Sequence, residues 1–143
     1  MRRSSAESTK AWPAFLGKLL AVDPASRDVT LTIPAKAGYL VLARLALSAV
    51  CRLTPLEPAE VADLKLAVTE AANEFVDESA PDDVEEARVD FDFRLHEDRL
   101  VLELNGSPGT QAEAEQELSR AIIEATVDES TFGQGRTVLV KKI

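Results

Sequence analysis

A change to two-residue periodicity after residue 87 constrains the fold of this chain more than any other feature. Apolar and polar side chains alternate in two runs, Val89–Leu95 and Leu100–Leu104, which Glu97-Asp98 separates. Alternation with this period places the apolar side chains of a β-strand on one face. The two runs therefore predict an antiparallel hairpin with one apolar face and one wet face, so the apolar face has to be covered from one side.

The segment Glu57–Glu78, before the hairpin, predicts the main helix that covers this face. Pro58 suits its first turn, because a first-turn N–H needs no intrahelical partner. Apolar residues recur at spacings of three and four and form one stripe: Val61, Leu64, Val68, Ala71 and Phe75. A second face carries four polar residues: Glu70, Asn73, Glu74 and Asp77. Such a face is either solvated or forms the floor of a site.

Further elements lie on both sides of these segments. Residues Val29–Ile33 alternate as a half-buried strand, which Pro34 ends. Residues Tyr39–Leu53 predict a long helix that is apolar on more than one face, so it is covered on two sides or meets a partner. The sequence Thr110-Gln111-Ala112-Glu113 predicts a capping box that opens a third helix, and Thr137–Val140 predicts a final strand.

The resulting order is helix, strand, helix, helix, strand, strand, helix and strand. It predicts an α/β (α+β) fold, a two-layer sandwich in which a mixed, mostly antiparallel sheet carries helices on one face. The third helix has one predicted buried stripe: Ala114, Leu118, Ala121, Ile122 and Ala125. We expect one domain over residues 28–143 and an N-terminal extension over residues 1–27. In the extension, Trp12–Val22 predicts a short helix that packs on its own domain or docks on a partner or second subunit.

Charge and composition narrow the function. The 143 residues are near the usual size of one domain. Asp and Glu total 25 against 16 Lys and Arg, and the net charge of -9 argues against direct nucleic-acid binding and suits a partner with a basic surface. The single cysteine, Cys51, allows no intramolecular disulfide, and no apolar run is long enough to span a bilayer. We therefore expect a cytoplasmic protein without membrane contact.

Three segments carry a family resemblance. Residues Leu64–Ala71 resemble the helix that holds the first ATP-site motif of bacterial anti-sigma factors, which are serine kinases of the GHKL, or Bergerat-fold, histidine-kinase-like ATPase superfamily. Residues Leu31–Lys36 and Leu42–Ala46 resemble the opening strand and first helix of that family. The resemblance runs from about Val29 to the C-terminus and is loose in its closing third. It implies the Bergerat sandwich, Mg-ATP as cofactor, a sigma factor or anti-anti-sigma protein as partner, and a homodimer.

The resemblance also implies roles on the main helix. In the family, the glutamate of the first motif polarises the attacking group, and an asparagine four residues later holds magnesium. Glu70 matches the first position and is the implied catalytic residue if the chain is active. Glu74 stands at the second position, and Asn73 comes one place earlier, about 100° around the helix. Either residue is a metal ligand only if magnesium is bound, and no other metal site is expected.

The other two family motifs are altered further. In the Asp-x-Gly-x-Gly loop that binds adenine, Asn105 stands near the Asp position and Gly106 and Gly109 remain; an amide can accept the adenine hydrogen bond but carries no charge. The family's Gly-x-Gly-Leu lid holds the phosphates through backbone N–H groups. Here the corresponding segment, Gln111–Gln116, has two carboxylates and no glycine. Thr137 matches the family's closing Gly-Thr strand.

Together these replacements predict that the fold persists while ATP binding is lost or very weak. Three functions remain open. The first is a regulator that binds a sigma factor or switches between protein partners, with Tyr39–Leu53 and Trp12–Val22 as candidate contact surfaces. The second is an active ATP-dependent serine kinase that phosphorylates an anti-anti-sigma protein, with Glu70 as base. The third is a non-catalytic dimerisation or scaffold domain.

Overall fold

A six-stranded sheet and three α-helices make up the described part of the chain, residues 20–23, 27–79 and 87–143 of a computed structural model. The elements in chain order are β1 (Leu20–Asp23), β2 (Asp28–Pro34), a 3-10 turn (Ala37–Tyr39), α1 (Leu40–Cys51), α2 (Pro58–Asn73), β3 (Arg88–Leu95), β4 (Arg99–Gly106), α3 (Glu113–Thr126), β5 (Glu129–Gly133) and β6 (Arg136–Lys142). The strand order is β1-β2-β3-β4-β6-β5, and every neighbouring pair is antiparallel. The predicted two-layer sandwich is confirmed, although its described sheet is wholly antiparallel rather than mixed.

The predicted hairpin is formed by β3 and β4. Phe91 pairs with Leu104 and Phe93 with Leu102, and all four side chains are buried against the helices. Cross-strand pairs of this kind stabilise a sheet by roughly 0.2–1 kcal/mol each. The hairpin occupies the middle of the sheet, so its apolar face is the floor of the core.

The helices form one layer over this floor, with α2 between the other two. Helix α2 packs against both α1 and α3 and over β4, while α1 contacts β2 and β3 and α3 contacts β5. The buried side of α2 includes Leu64, Val68 and Ala71, as the spacing predicted, and Pro58 stands in its first turn. Because α2 has neighbours on both sides, its polar residues can also lie at a helix–helix contact.

The prediction that α2 extends to Glu78 is wrong, because the helix ends at Asn73. Chain segments distant in sequence provide donors for the backbone beyond it. The Gly109 N–H donates to the Glu74 carbonyl at 2.8 Å, and the Thr110 N–H donates to the Val76 carbonyl at 3.1 Å. Asp77 therefore lies outside the helix and does not belong to its polar face.

Two predictions for α3 are also wrong. The helix begins at Glu113 with no side-chain cap, so Thr110 opens no capping box. Its buried residues are Ser119 and Ile123, whereas most of the predicted stripe is exposed, with Leu118 63% exposed. The helix is thus rotated from its predicted orientation, and the polar contacts that explain this rotation are described below.

Residues Leu20–Asp23 form a strand paired with β2, which corrects the end of the helix predicted over Trp12–Val22. Residues 12–19 of that prediction lie outside the described residues. The division into an extension and a domain stays a prediction. None of the described helices is long and apolar enough to cross a bilayer.

Candidate functional site

The candidate site is the contact between α2 and α3, where two carboxylates meet two consecutive residues of the opposing helix. Glu70 and Glu74 are four residues apart and share one side of the chain at the end of α2. The Ser119 hydroxyl donates to Glu70 Oε1 at 2.8 Å. Arg120 donates from Nε to Glu74 Oε2 at 3.1 Å and from Nη2 to Glu74 Oε1 at 3.0 Å. Both carboxylates therefore already have hydrogen-bond donors from within the chain.

The Arg120 guanidinium is held from two sides. It forms the bidentate pair with Glu74, whose side chain is only 9% exposed, and it lies 4.7 Å from the centre of the Phe132 ring. Hydrogen bonding to Glu74 raises the pKa of Arg120 above its ordinary value. Bidentate charge-assisted pairs are the strong class of protein hydrogen bonds, and a cation over an aromatic face adds to them. These contacts fix α3 on α2 and β5.

Ser119 links the loop before α3 to α2. It is 2% exposed, accepts a hydrogen bond from Gln111 Nε2 at 3.2 Å, and donates onward to Glu70. A carboxylate that accepts from a hydroxyl is the arrangement of a general base, but this hydroxyl belongs to the same chain. Sequence reasoning missed Ser119 and Arg120, because it assigned the neighbouring alanines to the buried face. The spacing of Ser119 and Ile123 was the available signal.

The two glycines of the predicted adenine loop are explained by backbone packing. A Cβ on Gly109 would collide with the Val76 carbonyl, and one on Gly106 would lie 2.9 Å from the Arg88 carbonyl oxygen. The Gly106 N–H donates to the Gly135 carbonyl at 3.0 Å. Only glycine permits such close approach of two backbones. The glycines wrap the loop around the end of α2.

The predicted site residues do not all lie on one side of the sheet. Thr137 is 2% exposed and pairs with buried Leu104, which places it on the helix side with Glu70. Asn105 lies on the opposite face, because its side chain donates to Glu103 Oε2 at 3.0 Å. The predicted adenine acceptor therefore cannot reach the Glu70 side from this position. Asn73 is the last residue of α2 and is partly exposed.

Glu103 is the centre of a polar cluster on the outer sheet face. Its carboxylate is 10% exposed and accepts from Arg136 Nε at 2.8 Å, from Asn105 and, at 3.0 Å, from Arg94 Nη2. The hydrogen bonds from Arg136, Asn105 and Arg94 lower the pKa of Glu103 from 4.5 to about 2. Asn105 thus has a structural partner on a face that the helices do not cover.

A small cavity remains beside the α2–α3 contact. Its volume is about 230 Å³, and its lining includes Glu74, Phe75, Pro108, Arg120 and Gly133–Gly135. The cavity is therefore smaller than an ordinary ligand pocket, which measures roughly 300–1,000 Å³. Within residues 20–23, 27–79 and 87–143, no group of three or more His, Cys, Asp or Glu side chains could hold a metal ion.

Comparisons with known proteins add one likeness. No protein-family model matches the chain. The chain is similar to the serine-protein kinase RsbW of Bacillus cereus (strain AH187), with 35% identity over 74 residues. The match covers 52% of this chain and 45% of that protein. The chain therefore spans less than half the length of the curated relative that it matches.

Proposed function

We propose that this chain is an anti-sigma-factor-like regulator that acts by protein–protein binding and has lost, or nearly lost, ATP binding. Its partners would be a sigma factor, an anti-anti-sigma protein or both, in the cytoplasm. The likeness to a serine-protein kinase and the two-layer fold support the family. The observation that carries the loss of ATP binding is the occupation of Glu70 and Glu74 by Ser119 and Arg120.

The residues present do not fit Mg-ATP in this arrangement. A magnesium ion beside α2 would need a carboxylate oxygen that is free to coordinate it. Both Glu74 oxygens accept N–H groups of Arg120, whose positive charge already neutralises the carboxylate. The phosphates of ATP would also need the N-terminus of a helix with free backbone N–H groups. Glu113 and Glu115 instead place two negative charges in the first turn of α3.

An active serine kinase is the second candidate. Glu70 is retained beside a hydroxyl group, and the relative is named a serine-protein kinase. Phosphoryl transfer depends mainly on positioning the phosphates and stabilising their charge. The acidic start of α3 opposes this, so we rank the kinase below the binding protein. A dimerisation or scaffold domain without a role in transcription is the third candidate.

Isothermal titration of the full chain with Mg-ATP is the direct test. We expect no binding in the micromolar range for the wild-type chain. A parallel titration uses Glu70→Ala, with Glu97→Ala on the exposed hairpin turn as the matched control. Micromolar binding that disappears in Glu70→Ala and persists in Glu97→Ala would overturn the loss of ATP binding. Phosphate transfer to a serine of an anti-anti-sigma protein, abolished by Glu70→Ala, would establish the kinase.

Partner binding is tested separately by co-purification from the native host. We expect a sigma factor or an anti-anti-sigma protein to co-purify with the tagged 143-residue chain. Both proteins are identified by mass spectrometry, and a tag-only preparation serves as control. If neither protein is recovered while the chain itself is folded, the regulatory proposal fails whatever the titration shows.

A further inference from the structure

A groove between the end of α1 and the start of α2 is independent of the α2–α3 contact. We name it the α1–α2 groove and define it by Ser48, Arg52, Leu56, Val61 and Lys65. Its volume is about 440 Å³, which is within the range of about 300–1,000 Å³ for ordinary binding pockets. The groove is thus larger than the cavity beside the α2–α3 contact and shares no lining residue with it.

Two cations, Arg52 and Lys65, line the groove. Across residues 20–23, 27–79 and 87–143, no carboxylate lies within ion-pair distance of Arg52 or Lys65. By contrast, Arg94, Arg120 and Arg136 all form ion pairs. In a chain with a net charge of -9, two unpaired cations in one groove form a local positive site on an acidic protein.

Nearby carboxylates on α2 face away from the groove. Pro58, Val61 and Lys65 share one side of the helix, and Glu60 and Asp63 project about 150° from it at 100° per residue. The orientation of Glu60 is independently fixed by its ion pair with Lys141 at 3.4 Å. Glu60 and Asp63 therefore do not cancel the positive charge of the groove, and Glu57, which lies between the lining residues Leu56 and Pro58, caps the start of α2.

The groove also offers apolar surface. Leu56 and Val61 are partly buried against the core. Leu53 and Leu66 directly follow the two cations in the chain and are 59% and 44% exposed. These two leucines do not line the groove, so its apolar lining comes from residues such as Leu56 and Val61, beside the cations that would set the orientation of a partner.

From these observations we propose that the α1–α2 groove binds an acidic amphipathic helix of a partner protein. The carboxylates of the partner pair with Arg52 and Lys65, and its apolar face covers Leu56 and Val61, which line the groove. This inference rests on the proposed function of a protein-binding regulator. It does not depend on whether the chain binds ATP, because the groove lies at the opposite end of α2 from Glu70 and Glu74.

Fluorescence anisotropy with two labelled synthetic peptides tests the proposal on the full chain. Both peptides are amphipathic helices with leucine on one face; one carries glutamate on the other face and its twin carries lysine. We expect the glutamate peptide to bind, to bind more weakly at high salt, and to bind about tenfold more weakly to the variant R52E/K65E. The control R99E/K142E carries the same change in net charge on the outer face of the sheet, which the helices do not cover, and keeps its affinity. Circular dichroism checks that each variant is folded.

A neutral variant, R52Q/K65Q, protects the test against misfolding caused by charge reversal, and it should also bind the glutamate peptide more weakly. Equal loss of binding in R52E/K65E and R99E/K142E would overturn the proposal, as would preference for the lysine peptide or no binding of either peptide.

If the glutamate peptide binds but no sigma factor or anti-anti-sigma protein co-purifies, the groove stands and the proposed function fails. If such a partner binds R52E/K65E as tightly as the wild type and the peptide does not bind, the groove alone fails.

Discussion

Replacement of Glu103 by glutamine tests the polar cluster on the outer sheet face. The substitution keeps the shape of the side chain and removes its negative charge, which faces Arg94 and Arg136. A pKa lowered from 4.5 to about 2 corresponds to about 3.5 kcal/mol before solvent screening, at about 1.4 kcal/mol per unit. The side chains of Arg94 and Arg136 are 38% and 60% exposed, so solvent screens the interaction of each arginine with Glu103. We therefore expect E103Q to lose about 1–3 kcal/mol of unfolding free energy at pH 7.

The pH dependence fixes the sign of this effect. Because the folded-state pKa of Glu103 is depressed, its stabilising contribution is complete above the unfolded value of 4.5 and is lost as pH falls towards 2. The wild-type chain should therefore lose more stability than E103Q between pH 5 and about pH 2. The two unfolding free energies should converge at the acidic end of this range.

Urea unfolding followed by circular dichroism measures both quantities. The control is Glu97→Gln, which removes a carboxylate from the exposed hairpin turn and should behave like the wild type at every pH. A double-mutant cycle with Arg136→Ala isolates the pair energy. The reasoning is refuted if E103Q is within about 0.5 kcal/mol of wild type at pH 7, the usual effect of a surface substitution, or if the difference persists undiminished at low pH.

Two further substitutions test the end of α2. Arg120→Ala leaves the buried Glu74 carboxylate without its partner and should destabilise the chain by about 2–4 kcal/mol in urea unfolding. Arg120→Lys keeps the positive charge but not the bidentate geometry, so it should destabilise the chain less. Equal destabilisation by the two variants would show that the bidentate geometry is unimportant. Gly109→Ala places a Cβ against the Val76 carbonyl and should cost about 1–3 kcal/mol or more in thermal unfolding, while the control Gly38→Ala meets nothing within 4 Å and should change stability by less than about 1 kcal/mol.

The periodic elements could be predicted from sequence because burial at the hairpin depends on local alternation. Phe91, Phe93, Leu102 and Leu104 are strongly apolar at every second position, so only one register buries them. The same alternation decides the face of Asn105, which shares the outer face with Glu103. The family resemblance predicted a role for Asn105 in binding adenine and took no account of this register. Because of the register, the Asn105 side chain lies on the face opposite Glu70.

The orientation of α3 could not be predicted in the same way. Alanine is compatible with both buried and exposed positions, so Ala114 and Ala121 carry little information on which face is buried. The orientation is set by Ser119 and Arg120, whose partners Glu70 and Glu74 lie 49 and 46 residues earlier in the chain. The premature end of α2 likewise depends on distant donors, since Gly109 supplies the N–H for the Glu74 carbonyl. The four-residue spacing of Ser119 and Ile123 is consistent with this buried face, but it does not identify the distant partners Glu70 and Glu74.

The packing of α3 on α2 also limits the access of a nucleotide to Glu70 and Glu74. Moving α3 away would expose Ile123, which is fully buried, at a cost of about 1.5–3 kcal/mol. It would also break the bidentate Arg120–Glu74 pair, and hydrogen bonds to charged groups contribute about 1.5–3 kcal/mol each. Even the lowest sum of these terms, about 4.5 kcal/mol, leaves only about one molecule in two thousand open, and it weakens the apparent affinity of any ligand of the open state by the same factor. The contacts of α3 alone would therefore turn a micromolar nucleotide site into a millimolar one, even before the acidic start of α3 repels the phosphates.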